Sequence, residues 1–498
     1  MVWWSRRHVV SRLDHPTTGL LDYLTTRRMI YSGKRVVILG LGRQGVALAR
    51  YLAEQGARVT VSDVQPAEKL SAPLNALADL PIEYVLGGHP ESLLEDCDLL
   101  CLSGGVDAAI PLAQQARARG IPLSNDSQIF LEVCPTTHTV GITGSAGKTT
   151  TTTLVGRMLS LAPRLFLPRG VGKQVWVGGN IGNPLIADVA RMAPGDLVVM
   201  ELSSFQLEIM TRSTQVAAIL NITPNHLDRH GTMEAYIAAK HNLLRYQPHD
   251  GVAVLGWDNA VTRSLTVQAG RTAYFSAEAE IAGFDGAFLR GETLVWRWGG
   301  NEHTVCTLRD IRLRGRHNVL NVLAAIAISG AALALAGAEA SPLPEGMRAV
   351  INNFTGVEHR LELVRERDGV RWYNDSIASA PERVIAALNA FEEPAVLLLG
   401  GRDKKLPWDE LARLVKARVR HSVLFGEAGP LIDRALAAAG VPAAQRTLTG
   451  SLRDAVAIAA AQARPGDVVL LSPGCTSFDE FKDFAERGEK FREWVRAL

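Results

Sequence analysis

Gly141-Ile142-Thr143-Gly144-Ser145-Ala146-Gly147-Lys148-Thr149-Thr150 decides the reading of this chain. It follows a β-like stretch, 137–142, and precedes a helical-looking segment, 151–159. A strand, a tight glycine turn and a helix start together present several backbone N–H groups to one anion. Lys148 can neutralise outer phosphates, and the hydroxyl of Thr149, with Thr150 beside it, is placed for a Mg²⁺ ion. The usual phosphate loop has a glycine where Ile142 stands, so the loop here is the shortened form Gly144-Ser145-Ala146-Gly147-Lys148-Thr149. ATP binding is the expectation.

Upstream, a β-branched run at 35–39 leads into Gly40-Leu41-Gly42-Arg43-Gln44-Gly45, a helix-like 46–55, and a second strand, 58–62, ending at Asp63. These are the parts of a nucleotide-binding βαβ unit, and taken alone they favour a dinucleotide oxidoreductase. Alternation continues through 99–103 and Gly104-Gly105 to about Glu132. Downstream of the phosphate loop, strands at 197–202 and 217–222 end in polar residues, where open parallel sheets bind ligands. A hairpin-like portion, 287–307, and an apolar helix after Asn318 complete that module. Near Gly356 the pattern restarts, with strands at 395–399, 422–425 and 467–471 alternating with helical runs at 381–389, 408–417 and 452–463. The fold class is α/β in three domains: a Rossmann-like first, a phosphate-loop ATPase-like second and a Rossmann-like third. Their expected bounds are an extension at 1–32, then 33–132, 133–356 and 357–498.

At 498 residues the chain is too long for one core. Lys+Arg 53 against Asp+Glu 51 leaves no concentrated basic footprint for nucleic acid. Cys97, Cys101, Cys134, Cys306 and Cys475 are odd in number and form no Cys-x-x-Cys pair, which suits free thiols in a reducing compartment. The amino end is Arg-rich, with Trp3 and Trp4, and lacks the apolar core of a signal peptide. The longest apolar stretch, 322–336, is broken by Ser329-Gly330 and is shorter than the ~20 residues that span a bilayer. A cytoplasmic monomer with no membrane or nucleic-acid partner is expected.

Three further motifs carry chemistry. Glu201 ends a buried strand in Glu201-Leu202-Ser203-Ser204-Phe205-Gln206-Leu207-Glu208, where a carboxylate suits Mg²⁺, a helix N-cap or surface acid being the alternative. His226, in Asn221-Ile222-Thr223-Pro224-Asn225-His226, is followed by Lys240 on a helix with apolar neighbours. A buried lysine is costly unless it is paired or chemically modified. Asn318 and Asn321 share one helical face, for an adenine edge or for ordinary capping.

In combination these motifs resemble the Mur ligases of bacterial cell-wall synthesis from about Arg35 to the carboxyl end. Gly178-Gly179-Asn180-Ile181-Gly182, the 201–208 run and Leu471-Ser472-Pro473-Gly474-Cys475-Thr476-Ser477-Phe478-Asp479 point to the glutamate-adding branch. The resemblance implies ATP-dependent joining of D-glutamate to UDP-N-acetylmuramoyl-L-alanine through an acyl phosphate, with closure of the domains excluding water. It implies that Gly42, Arg43, Asp63, Val64 and Gln65 lie near uracil, and that Ser103, Gly104, Gly105 and Asn180 contact the diphosphate. Lys148, Thr149 and Thr150 would hold the ATP phosphates, with Thr149 and Glu201 on one Mg²⁺. His226 and Lys240 would serve a second Mg²⁺, Lys240 as its carbamate; His226 could equally orient a substrate. Asn318 and Asn321 would face adenine, Arg360 and Asp375 would close on the nucleotide, and Ser379, Lys404, Ser477 and Phe484 would surround glutamate.

The pattern departs from the family at three places. Ala146 stands for a frequent Asn, Ile377 for a Lys and Ser379 for a Thr, with Arg383, Arg402 or Lys405 as candidates to supply the missing charge. An oxidoreductase leaves the phosphate loop and Lys240 unexplained, and a folylpolyglutamate synthase is not expected to carry the 40–45 domain. An inert nucleotide-binding regulator would be expected to lose Lys148, Glu201 or Lys240. Residues 1–28, ahead of Met29, are expected to be dispensable, and L-glutamate is the alternative acceptor.

Overall fold

The computed structural model describes residues 30–161, 167, 170–171, 174–313, 315–341, 343–404 and 406–498. Residues 1–29, including Met29, and the candidate Lys405 lie outside them. Three sheets are present. The first holds β1 (Arg35–Leu39), β2 (Arg58–Asp63), β3 (Ile82–Leu86), β4 (Leu99–Leu102) and β5 (Leu123–Ser124), all parallel. Their order is β3-β2-β1-β4-β5, so the chain reverses direction across the sheet between β1 and β4. The turn at 40–45 and Ser103-Gly104-Gly105 follow those two strands and face that switch point, where such sheets bind ligands.

The second sheet contains β6 (Thr139–Thr143), β7 (Val175–Gly179), β8 (Leu197–Glu201), β9 (Val216–Ile219), β10 (Val252–Gly256), β11 (Arg271–Ser276), β12 (Asp285–Arg290), β13 (Thr293–Trp298) and β14 (Asn301–Thr307). β6 lies between β8 and β9, parallel to both, so the phosphate loop leaves this sheet's own switch point. The helix after the loop begins at Lys148, earlier than the apolar pattern suggests, because the first turn is polar and faces the loop. β12 and β13 form the antiparallel hairpin read from the sequence.

Helix Arg316–Leu335 is long and apolar enough to cross a membrane, but 72% of its apolar window is buried within the protein. Gly330, one of the residues that breaks the apolar run, has a packing role. A Cβ there would lie 2.2 Å from Nε1 of the buried Trp296 on β13. All five cysteines are free and buried.

The third sheet adds β15 (Glu362–Arg367), β16 (Val370–Asn374), β17 (Ala395–Gly400), β18 (Val419–Phe425), β19 (Arg446–Leu448) and β20 (Val468–Gly474), in the order β15-β16-β20-β17-β18-β19. The sequence reading missed β15, β16 and β19, which are short or edge strands with charged residues, and the closing helix Phe484–Ala497.

Two compact units result: the described residues up to Cys306 with Leu320–Met347, and Thr307–Val319 with Arg348–Leu498. One apolar cluster runs through the first unit, joining Val36 and Ile38 of β1 to Met200 of β8 and Ile219 of β9. The first two sheets therefore share a core. In the second unit separate clusters cover the two faces of the third sheet, one around Leu397 and Leu399, the other around Val396 and Leu398.

Candidate active site

The phosphate loop is held from β9's carboxyl end. The side-chain amide of Asn221 grips Ala146 at both backbone groups, Ala146 N–H donating to Oδ1 at 2.9 Å and Nδ2 donating to Ala146 O at 3.1 Å. Ser145 N–H donates to Asn221 O at 2.9 Å, and the Ser145 hydroxyl donates to Thr223 O at 2.9 Å and lies 3.0 Å from the Tyr236 hydroxyl. Gly147 has φ +84°, a left-handed turn that favours glycine. The space beside it is filled by Asn321, whose Oδ1 would lie 2.2 Å from a Cβ at that position. Asn321 thus adjoins the loop. Its helix begins at Arg316, which puts Asn318 in the first turn and Asn321 one turn further on.

Two lysines converge on one carbonyl. Lys148 Nζ donates to Gly144 O at 2.8 Å, and Lys240 Nζ donates to the same oxygen at 3.1 Å and to Thr143 Oγ1 at 3.2 Å. Lys240 is 1% exposed, so the burial inferred from its helix is present. Burial and the Lys148 charge bring its pKa down to about 7, with Glu201 acting in the opposite direction. Glu201 is 2% exposed at the end of β8, so it is no surface acid. Ser203, not Glu201, caps the following short helix. Asn180 Nδ2 donates to Glu201 Oε1 at 2.9 Å, while Oε2 is buried with no hydrogen-bond partner. A buried carboxylate oxygen left in that state is costly, and a carboxylate oxygen is the kind of ligand that a hard cation such as Mg²⁺ takes.

His226 is exposed, with φ +53°, and its ring meets Phe205 edge-on at 5.0 Å and lies 6.4 Å from Tyr236. His230 stacks on Phe205 at 5.2 Å, and burial lowers its pKa, with His226 and Lys240 adding to the effect. This aromatic group stands over the Lys240 helix, and Tyr236 lies 4.8 Å from Lys240 Nζ. Tyr236 and Asn221, which the structure brings against the phosphate loop and Lys240, were given no role in the sequence reading. The clue for Asn221 is a polar residue directly after a buried strand whose neighbour carries the loop.

In the first module the acid that ends β2 has a local task. Asp63 Oδ2 accepts from Leu41 N–H at 2.7 Å and Oδ1 from Gln65 N–H at 2.8 Å, so it locks the glycine turn. Gln44 Oε1 accepts from Gly104 N–H at 3.1 Å, tying that turn to the loop after β4. Gly42, Arg43, Val64, Gln65 and Gly105 are exposed around this switch point, with Ser103 buried beneath it.

In the second unit the loops after β16, β17 and β20 gather the remaining candidates. Asp375 is 4% exposed; it accepts from Leu361 N–H at 3.2 Å and from the Ser472 hydroxyl at 2.8 Å. Burial pushes its carboxyl up to about 7 against the pull of Arg360 and Arg383. Of the candidates to replace the charge absent at Ile377, Arg383 therefore acts on Asp375, whereas Arg402 is paired with Glu427 at 2.8 Å. Lys404 Nζ donates to Ser379 Oγ at 3.0 Å; Ser477 is buried and Phe484 is exposed.

Comparison with known proteins agrees with this layout. Residues 34–125 match the Mur ligase MurD-like N-terminal domain, 142–329 the Mur ligase middle domain and 359–475 the Mur ligase glutamate ligase domain. A UDP-N-acetylmuramoylalanine--D-glutamate ligase of Symbiobacterium thermophilum is 42% identical over 93% of this chain and 98% of its own. One from Acetivibrio thermocellus is 40% identical over 93% and 97%. Among solved structures, MurF from Acinetobacter baumannii shares the fold at a TM-score of 0.51 with 18% identity, covering 93% of this chain and 92% of that one. With its three sheets, its shortened phosphate loop and its MurD-like first domain, the chain belongs to the Mur ligase family.

Proposed function

We propose that this protein joins D-glutamate to UDP-N-acetylmuramoyl-L-alanine at the expense of ATP, the reaction for which its close relatives are named. The observation that carries this reading is the meeting of Lys148 and Lys240 on Gly144 O, in the loop beside the unpartnered oxygen of Glu201. Residues 33–132 would hold the UDP substrate, 133–356 ATP, and 357–498 glutamate.

A carboxylate is a poor acyl electrophile. The alanyl carboxylate oxygen attacks the γ-phosphorus of ATP, the bond to the β-bridging oxygen breaks, and ADP leaves. Lys148 stays beside the transferring group and offsets its charge. The glutamate amine then attacks the acyl carbon, loses its proton, and phosphate departs with the C–O bonding pair. Thr149, Glu201, His226 and Lys240 would hold two Mg²⁺ ions, which when bound neutralise charge on the phosphoryl oxygens. Lys240 fits this role as a carbamate. A pKa near 7 leaves much of its amine neutral at physiological pH and able to add to CO₂ with loss of a proton. The product is an anion, which relieves the repulsion from Lys148 and suits a cation site.

The same reading makes the protein a cytoplasmic monomer, acting on small-molecule substrates with no nucleic-acid or membrane partner. Omission assays test the function: phosphate release should require ATP, UDP-N-acetylmuramoyl-L-alanine and glutamate together. Release that ignores glutamate would overturn the assignment.

A further inference from the structure

Helix Phe484–Ala497 carries a buried cation in its first turn, where helix ends usually favour negative charge. Arg487 is 0% exposed, and its hydrogen bonds run to neutral oxygens: Nε to Ser376 Oγ at 2.9 Å, Nη2 to Ser376 O at 2.8 Å, and Nη1 and Nη2 each to Cys475 O at 3.2 Å. Burial pulls its pKa down to about 10, opposed by the more distant Asp479 and Glu480. An apolar side chain of the same volume would often serve packing as well or better than a buried charge. The reason for an arginine lies in what its donors hold.

Those donors join three segments. Ser376 follows Asp375 in the loop after β16, and Cys475 follows β20. The Ser376 hydroxyl accepts from Arg487 and donates to Phe484 O at 2.8 Å, so the start of the helix is tied into the same chain of bonds. The loop after β17 closes over the guanidinium: a Cβ on Gly401, at φ +120°, would lie 3.1 Å from Nη1. Ser379, Lys404, Ser477 and Phe484 sit on these segments. We propose that Arg487 is a positioning residue of the amino-acid pocket, its planar fork setting the spacing between the Ser376 and Cys475 loops and so the geometry in which the acceptor's carboxylates are read. The proposal rests on the reading of those four residues as the glutamate site. A lysine cannot replace the fork, because one nitrogen does not span two backbone carbonyls and a hydroxyl in fixed geometry.

Steady-state phosphate release with Arg487→Lys and Arg487→Met tests this in the full chain, with melting temperature as the check on folding. KM for D-glutamate is expected to rise by about tenfold or more, since displacing a bound group by about 1 Å can cost ~10²-fold in rate. KM for ATP and for the UDP substrate should stay within about twofold, and the D-to-L preference should fall by about tenfold on the same argument. Ser376→Ala, which keeps the buried charge and removes one shared hydroxyl, should shift KM for glutamate in the same direction by a smaller factor. A folded Arg487→Met with unchanged glutamate KM and unchanged enantiomer ratio overturns the proposal. If the Arg487 variants do not fold, an unchanged glutamate KM in Ser376→Ala overturns it. Lys404→Ala separates the two readings. If it raises glutamate KM while the Arg487 and Ser376 variants do not, only the bracing role fails; if it too has no effect, the pocket itself is misassigned.

Discussion

Lys148 and Lys240 donate to the same carbonyl oxygen, that of Gly144, at 2.8 and 3.1 Å. Burial and, after it, repulsion from the Lys148 ammonium bring the pKa of Lys240 down to about 7. Lys148→Ala should therefore abolish ATP-dependent ligation and also raise the pKa of Lys240. The melting temperature should change little, because Lys148 is only half-buried. Phosphate-release assays and thermal melts check this, and a variant retaining a substantial rate would count against the phosphoryl-transfer role.

Lys240→Ala should be inactive and partly restored by short carboxylic acids that occupy the space of the carbamate. CO₂ adds only to the neutral amine, so carbamate occupancy should fall as pH drops below about 7. Added bicarbonate should then raise wild-type activity more at pH 6 than at pH 8. An absence of rescue together with no carbamate mass increment would leave Lys240 a structural lysine.

Asp375 gives a stability prediction with a defined sign. Its pKa is 3.8 when unperturbed and about 7 in the fold, so the folded state binds the proton more tightly. The stability this supplies is complete below about 4 and is lost as pH rises through about 7. Asp375→Asn, which keeps a neutral side chain at every pH, should melt higher than wild type at pH 8 and at about the same temperature at pH 4. Its ligase activity should fall sharply. An equal melting difference at both pH values would contradict the raised pKa.

Deleting residues 1–28 should alter neither melting temperature nor turnover. Removal of Tyr31 as well should be destabilising. Tyr31 is 3% exposed, and its hydroxyl donates to Glu132 on helix Asp126–Val133, the last helix of the first module. Paired thermal melts of the two truncations distinguish the outcomes.

D-glutamate should be favoured over L-glutamate by ~10²–10⁵, because a pocket that pairs both carboxylates leaves buried groups unpaired when the mirror image enters. Phosphate release measured with each enantiomer at equal UDP substrate decides it. Faster turnover with L-glutamate would reverse the assignment of the acceptor while leaving the ligase chemistry standing.

Residues close together in sequence determined much of this protein. The glycine turns at 40–45 and 144–147, each between a strand and a helix, are local patterns, and so are the apolar strands β1, β6, β8, β17 and β20. Glu201 at a strand end and Lys240 on a half-apolar helix were legible for the same reason, since burial follows from neighbours on one element. What joins elements was decided only by the tertiary structure. Gly144 O became a shared acceptor because β6 places the loop beside a helix that starts ninety residues later, at Met233. Asn221 grips Ala146 across 75 positions, and Arg487 grips Ser376 across 111. A hydrogen bond across such distances leaves no periodicity or spacing in the sequence, because its geometry is set by sheet order and not by the residues between its partners. For the same reason Arg487, on a helix that the local pattern did not reveal, is wholly buried, and Asp63, expected near uracil, accepts from Leu41 N–H with one oxygen and from Gln65 N–H with the other.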